Sequence, residues 1–155
     1  MNRIVKFFLK FLGEIGFWKL WSRGHIFLYR RTGGRIGKQI DGMSHLLLTT
    51  TGRRSGQART VALSYMPEGR DYVIAASNGG ADRPPAWWLN LRARPTADIQ
   101  IDDQRVAVTA RMVDQDERAR LWPKLKAANR YYPYHESNTV REIPVIVLSP
   151  AHEQG

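Results

Sequence analysis

The sequence predicts a mainly β domain of the α+β class, a small antiparallel β-barrel flanked by helices. Three observations carry this. From Leu46 onward, short runs of Leu, Val, Ile, Ala and Thr recur, each stopped within a few residues by glycine, proline or aspartate, which is the spacing of antiparallel strands. Only two segments beyond residue 31 carry helix boundary signals. Ahead of both lies a basic, aromatic-rich stretch with helical periodicity. Many short strands and few helices favour closure into a barrel, because closure removes exposed strand edges. The 155 residues suit one compact body that buries about two-thirds of its unfolded surface. The expected organisation is an N-terminal helical segment over 1–31 and the barrel over 32–155, with no internal repeat.

The elements follow in order. At 100° per residue, Met1 to Ile15 gathers Arg3, Lys6, Lys10, Gly13 and Glu14 on one side and Ile4, Phe8, Phe11, Leu12 and Ile15 on the other, a basic amphipathic helix. Past Gly16 the pattern loosens, but Phe17, Trp18, Leu20, Trp21, Phe27, Leu28 and Tyr29 alternate with Lys19, Arg23, Arg30 and Arg31. Such a mixture suits either a bilayer interface or packing on the barrel. TGGRIGKQIDG, from Thr32, reads as an irregular connector. Leu46 to Thr51 is a strand covered on both faces. Arg59 to Met66 and Tyr72 to Ser77 form an antiparallel hairpin about the PEGRD turn. Asn78 to Ala81 breaks the pattern, Pro84 and Pro85 open a helix through Trp87, Trp88, Leu89 and Leu91, and Pro95 closes it. Ala97 to Ile101 and Arg105 to Arg111 pair around Asp102 and Asp103. Asp114 and Glu117 have capping-box spacing for a helix reaching about Asn129. A tyrosine-rich loop and a last strand, Ile143 to Leu148, complete the chain.

Charge limits the partners. Lys and Arg number 24 against 14 Asp and Glu, a net +10 with a pI near 10.4, so an anionic ligand or surface is expected. The absence of cysteine excludes disulfide and thiolate chemistry. Lys6, Lys10, Glu14 and Lys19 interrupt the N-terminal apolar residues, against both a signal peptide and a transmembrane helix. His25, His45, His135 and His152 lack metal-ligand spacing, so no metal is expected. Asp102, Asp103, Asp114 and Asp116 read as turn and cap residues.

The most informative stretch is LLLTTTGRRSG, Leu46 to Gly56, with Arg59 behind it. A buried strand stops at Gly52, and Arg53, Arg54 and Ser55 follow on a glycine-bounded turn with no carboxylate among them. Guanidiniums and a hydroxyl so placed suit a phosphate or polycarboxylate, or simply a solvated hairpin end. No GxSxG elbow, Walker A loop or GxGxxG follows a strand. If the protein is an enzyme, a cofactor carries the chemistry and the protein supplies binding and orientation.

Taken together, LLLTTTGRRSGQAR, YVIAASNGGADRPPAWWLNLRARP, DQDERARLWPKL and REIPVIVLSP resemble the deazaflavin-dependent nitroreductase family, which uses coenzyme F420, over Thr32 to Pro150. The resemblance implies a split β-barrel of the flavin- and deazaflavin-binding type. It implies an oxidoreductase that passes hydride from reduced F420 to a quinone, menaquinone-like, or to a nitroaromatic. By the same resemblance Arg53, Arg54, Ser55 and Arg59 hold the phosphate and oligoglutamate tail. Thr60, Val61, Ala62, Leu63 and Ser64, with Ala75, Ala76, Ser77 and Asn78, line the deazaflavin and ribityl chain. Ala86, Trp87, Trp88, Leu89 and Asn90 form the helix side, although adjacent rings on a helix point about 100° apart and one tryptophan is expected to serve only the core. Tyr132 lies over the ring, to orient the acceptor or donate a proton. A membrane-dissolved quinone would give residues 1–31 a reason to meet the bilayer, and the expected location is the cytoplasm, peripheral on that face of the membrane.

The chain departs from the family pattern in places. Arg54 stands for a common lysine, Asn78 for the lysine that follows the AAS strand in one branch, and Ser64 for a substrate-side tyrosine, while Tyr131, Tyr132, Tyr134 and His135 alter the usual tyrosine spacing. Cofactor use is thereby more firmly implied than substrate, and activation of bulky bicyclic nitroimidazoles is not expected. The alternatives are a non-enzymatic split barrel that binds a cofactor or lipid-like ligand, and a nucleic-acid module. The second lacks any recognition-helix or RNP-type pattern, so no nucleic acid is expected.

Overall fold

A computed structural model describes residues 3–151, with side chains from 16 to 151. Helix α1 (Arg3–Thr32) leads into strands β1 (Gln39–Ile40), β2 (Met43–Thr51), β3 (Ala58–Ser64), β4 (Met66–Glu68) and β5 (Asp71–Ala75). After a 3₁₀ turn (Asn78–Gly80) come α2 (Ala86–Ala93), β6 (Thr96–Ile101), β7 (Gln104–Met112), α3 (Gln115–Ala128), α4 (Tyr132–Ser137) and β8 (Val145–Pro150). All pairings are antiparallel, in the order β1-β2-β6-β7-β8-β5-β4, with β3 also on β2. The sheet curls because β3 and β4 are one bent strand, broken at Tyr65. Its first half pairs with β2 from Ala58 to Ser64 and its second with β5. Among the described residues the β3 edge away from β2 carries no strand, so the barrel is split along β3.

Two apolar cores result from strand alternation. Leu46, Leu48, Ile74, Ile99, Val108, Ile146 and Leu148 fill the barrel together with Trp87, Trp88 and Leu91 of α2. Their neighbours Val73, Ala75, Val145 and Val147 point outward against Leu121, Trp122 and Leu125 of α3 and Tyr132 of α4. This two-sided burial explains why β5 and β8 read as continuous apolar runs. The Asp114 carboxylate accepts from the Glu117 amide at 2.8 Å, the cap expected for α3.

The helix α1 is tied down at its C-terminal end. Tyr29, fully buried, donates to the His45 carbonyl at 3.0 Å and accepts from the Asp102 amide at 3.2 Å. His25 Nε2 lies 2.8 Å from the Gly37 carbonyl, and Arg30 donates to Thr60 at 2.7 Å. Gly37 has φ +98°, and a Cβ there would stand 2.5 Å from the His25 ring, so glycine is required for this approach. Phe17, Trp18, Leu20, Trp21, Phe27 and Leu28 nonetheless stay exposed, Leu20 to 72%.

Several expected boundaries shift. The helix is continuous through Gly16 and Gly24 to Thr32, because tertiary contacts at Tyr29 carry it past its weak amphipathic signal. The faces assigned to Met1 through Ile15, and His152, lie outside the described side chains. The connector holds the short β1. The expected hairpin of Arg59–Met66 with Tyr72–Ser77 is corrected: β3 pairs with β2 across the basic turn, and only β4 pairs with β5. The tyrosine-rich loop forms α4, with Pro133 in its first turn.

Candidate active site

The split in the barrel opens a groove along β3. One section, about 560 Å³, is lined by Gly52, Arg53, Arg54, Ser55 and Ala58 to Val61, with Ala86, Trp87 and Asn90 of α2. The other, about 500 Å³, is lined by Val61 to Ser64, by Ala75, Ser77, Asn78 and Gly79, and by Ala86, Trp87, Asn129, Tyr132 and His135. Val61, Ala86 and Trp87 belong to both, so the sections are continuous. Successive β3 residues on both faces line them; hence the unpaired strand edge, with its backbone N–H and C=O groups, faces the groove.

The cationic end is built locally. Gly52 N–H donates to Gln57 O at 2.8 Å and Gly56 N–H to Gly52 O at 2.8 Å, closing the loop between β2 and β3. A Cβ on Gly52 would come within 2.5 Å of Ser55 Oγ, and Ser55 Oγ accepts from the Gln57 amide at 3.1 Å. The buried Asn90 braces the loop from α2: Oδ1 accepts from the Arg53 amide at 3.1 Å while Nδ2 donates to Thr50 Oγ1 at 3.1 Å. Among the described residues, none of Arg53, Arg54 and Arg59 forms an ion pair. Three guanidiniums without a carboxylate partner among the described residues therefore line this end of the groove.

The other end is assembled from distant segments. Asn129 Nδ2 donates to Ser64 Oγ at 2.8 Å, and Ser64 Oγ lies 3.1 Å from the Tyr132 hydroxyl. The Tyr132 ring packs on Trp122 at 5.6 Å, and burial pushes its pKa up, so it stays a neutral phenol. Across the groove the chain turns sharply after Ser77, with φ of +48° at Asn78, +64° at Gly79 and +83° at Gly80. Arg141 fixes this turn, donating to the carbonyls of Ala76 at 3.1 Å, Ser77 at 2.9 Å and Ala81 at 2.9 Å. Asn78 Nδ2 donates to Arg83 O at 2.9 Å and is thus held within the turn. His135 Nδ1 lies 3.1 Å from Ser77 Oγ. From α1, Ser22 reaches the same section.

Most residues singled out from the sequence converge here, and the exceptions follow from strand and helix phase. Ala76 is fully buried in the barrel core, Trp88 packs in that core while Trp87 walls the groove, and Leu89 lines neither section. Ser22, Asn129 and His135 were not foreseen. Each is separated from β3 by 36 or more positions, and only the fold brings them together.

A half-open antiparallel barrel with a groove that is cationic at one end defines a protein of the split-barrel class. Residues 21–150 match the family model for F420H(2)-dependent quinone reductase. The chain is 45% identical over 132 residues to F420H(2)-dependent quinone reductase Rv1261c of Mycobacterium tuberculosis, covering 82% of this chain and 88% of that protein. It is 38% identical over 105 residues to the putative F420H(2)-dependent quinone reductase Rv3178 of the same organism, covering 68% and 88%. A solved structure described as an F420-H2-dependent reductase, FDR-A, superposes with a TM-score of 0.63 at 35% identity, covering 68% of this chain and 93% of that one. The chain belongs to the F420H(2)-dependent quinone reductase family. Its cofactor is coenzyme F420, and the non-enzymatic alternative is set aside.

Proposed function

We propose that F420 lies along β3, with its phosphate and glutamates at Arg53, Arg54 and Arg59 and its deazaflavin in the section between Ser64 and Ser77. The observation that carries this is the continuity of the two sections: one end offers cations without protein partners, the other a planar-walled cleft edged by free backbone amides. Bound there, the reduced cofactor supplies a hydride. Ser55 shapes the loop, Asn90 holds it against α2, and Trp87 forms the wall shared by both sections. Tyr132, fixed by Ser64 and Asn129, orients the acceptor, a quinone or a nitroaromatic of similar flat shape. The test is F420 titration by fluorescence quenching followed by quinone reduction with F420H2. Flavin mononucleotide binding in place of F420 would overturn the assignment.

The exposed stripe on α1 supports peripheral membrane contact. Phe17, Leu20, Trp21 and Leu28 are exposed, Ile36 stands beside them, and Lys19, Arg23 and Arg31 flank them. Aromatic rings beside cations match the interface of an anionic leaflet. Among the described residues no helix is long and apolar enough to cross a membrane; the proposed contact is docking on the surface, with a lipid quinone delivered next to Ser22. Co-sedimentation with anionic but not neutral vesicles is the expected result, reduced by Trp21→Ser.

A further inference from the structure

Reduction of a quinone by hydride leaves one proton to be delivered, and the groove holds two candidate donors. Tyr132 is poorly matched: its hydroxyl is bonded to Ser64, the side chain is buried, and its pKa is raised, so it gives up a proton reluctantly near neutrality. His135 differs on each count. Its Nδ1 edge is engaged by Ser77 Oγ at 3.1 Å. Among the described residues its Nε2 has no hydrogen-bond partner, and no side-chain nitrogen or oxygen is buried and unsatisfied, so Nε2 is open to solvent on a residue that lines the groove. The ring is placed by more than one contact. It lies edge-on to Tyr132 at 6.0 Å, and Gly80 lets α4 approach, since a Cβ there would stand 2.7 Å from the His135 carbonyl.

We propose that His135, oriented by Ser77, is the proton donor to the reduced acceptor. This rests on the cofactor placement above. The hydride brings the electron pair that reduces the quinone. At His135 the Nε2–H bond of the imidazolium breaks, an O–H bond forms on the acceptor oxygen, and the neutral imidazole regains a proton from groove water. Ser77 accepts from Nδ1–H throughout, which keeps Nε2 toward the acceptor.

The groups facing His135 add little charge. On its own helix Tyr134 is exposed, and Glu136 is turned onto Trp122 and Lys126. Across the groove are Ser77 and Asn78, and Ser22 lies on α1. Arg141, beneath the turn, is occupied by carbonyls. Burial alone moves the imidazole, downward from its ordinary value, which makes it a stronger acid.

The experiment combines ring NMR with kinetics. In cofactor-free protein the His135 resonances, assigned with His135→Gln, should titrate below pH 6.5, and Ser77→Ala should lower that midpoint by removing the acceptor of Nδ1–H. Wild-type kcat should fall as pH rises through the same midpoint, and Ser77→Ala should move both together. His135→Gln, which keeps a partner for Ser77, should bind F420 within about twofold yet lose about 10²-fold in kcat and the pH dependence. Imidazole should partly restore His135→Ala. A His135→Gln enzyme with unchanged kcat and profile, in a wild type that reduces quinone, overturns this inference alone. A wild type that binds F420 without reducing any quinone overturns the proposed reaction and the inference with it.

Discussion

The two ends of the groove are built by opposite means. The cationic end is one loop of consecutive residues, closed by two backbone hydrogen bonds and braced by a single side chain, Asn90. The opposite end draws Ser64, Ser77, Asn129, Tyr132 and His135 from three separated segments and interlocks them. Local construction tolerates exposure and leaves its arginines free for a ligand. Assembled construction fixes side chains to the geometry a reaction needs, and it depends on the whole fold.

The sharpest way to separate the ends is Arg53→Ala with Arg54→Ala. Each charge-assisted contact is worth about 1.5–3 kcal/mol, so F420 affinity should fall at least ~10²-fold in fluorescence titration. A deazaflavin lacking phosphate and glutamates should bind both proteins alike; an equal loss for it would break the division. Gly80→Ala acts on the other end. With φ +83° and the His135 carbonyl 2.7 Å from its Cβ, it should cost about 2–3 kcal/mol in urea unfolding and displace α4, lowering kcat more than tail affinity. Asn90→Ala removes two hydrogen bonds from a buried position and should cost about 1–3 kcal/mol while weakening F420 modestly.

The same division explains what the sequence discloses. The Gly52 loop is legible because its residues are adjacent and its turn chemistry is local. β6, β7 and α3 are legible because alternation and the Asp114 cap are local too. The pairing of β3 with β2, the helical turn at Tyr132 and the approach of Asn129 and His135 are set by barrel closure, which no short window of sequence contains. Trp87 and Trp88 sit between these cases: helix phase predicts that only one serves the core alone, and packing decides that it is Trp88.

A smaller test uses pH. Burial lowers the His45 pKa, and His135 shifts the same way. The unfolded chain then binds more protons, so stability is full above the unfolded histidine value of about 6.5 and declines as pH falls below it. Urea midpoints at a series of pH values should show the decline, and His45→Gln should flatten it.

The bare edge of β3 has a consequence beyond chemistry. Unsatisfied strand edges invite pairing with other chains, and proteins usually blunt them with charge, bulges or a covering element. If F420 lies along β3 as proposed, the cofactor covers this edge, and the cofactor-free protein is expected to self-associate more readily than the loaded one.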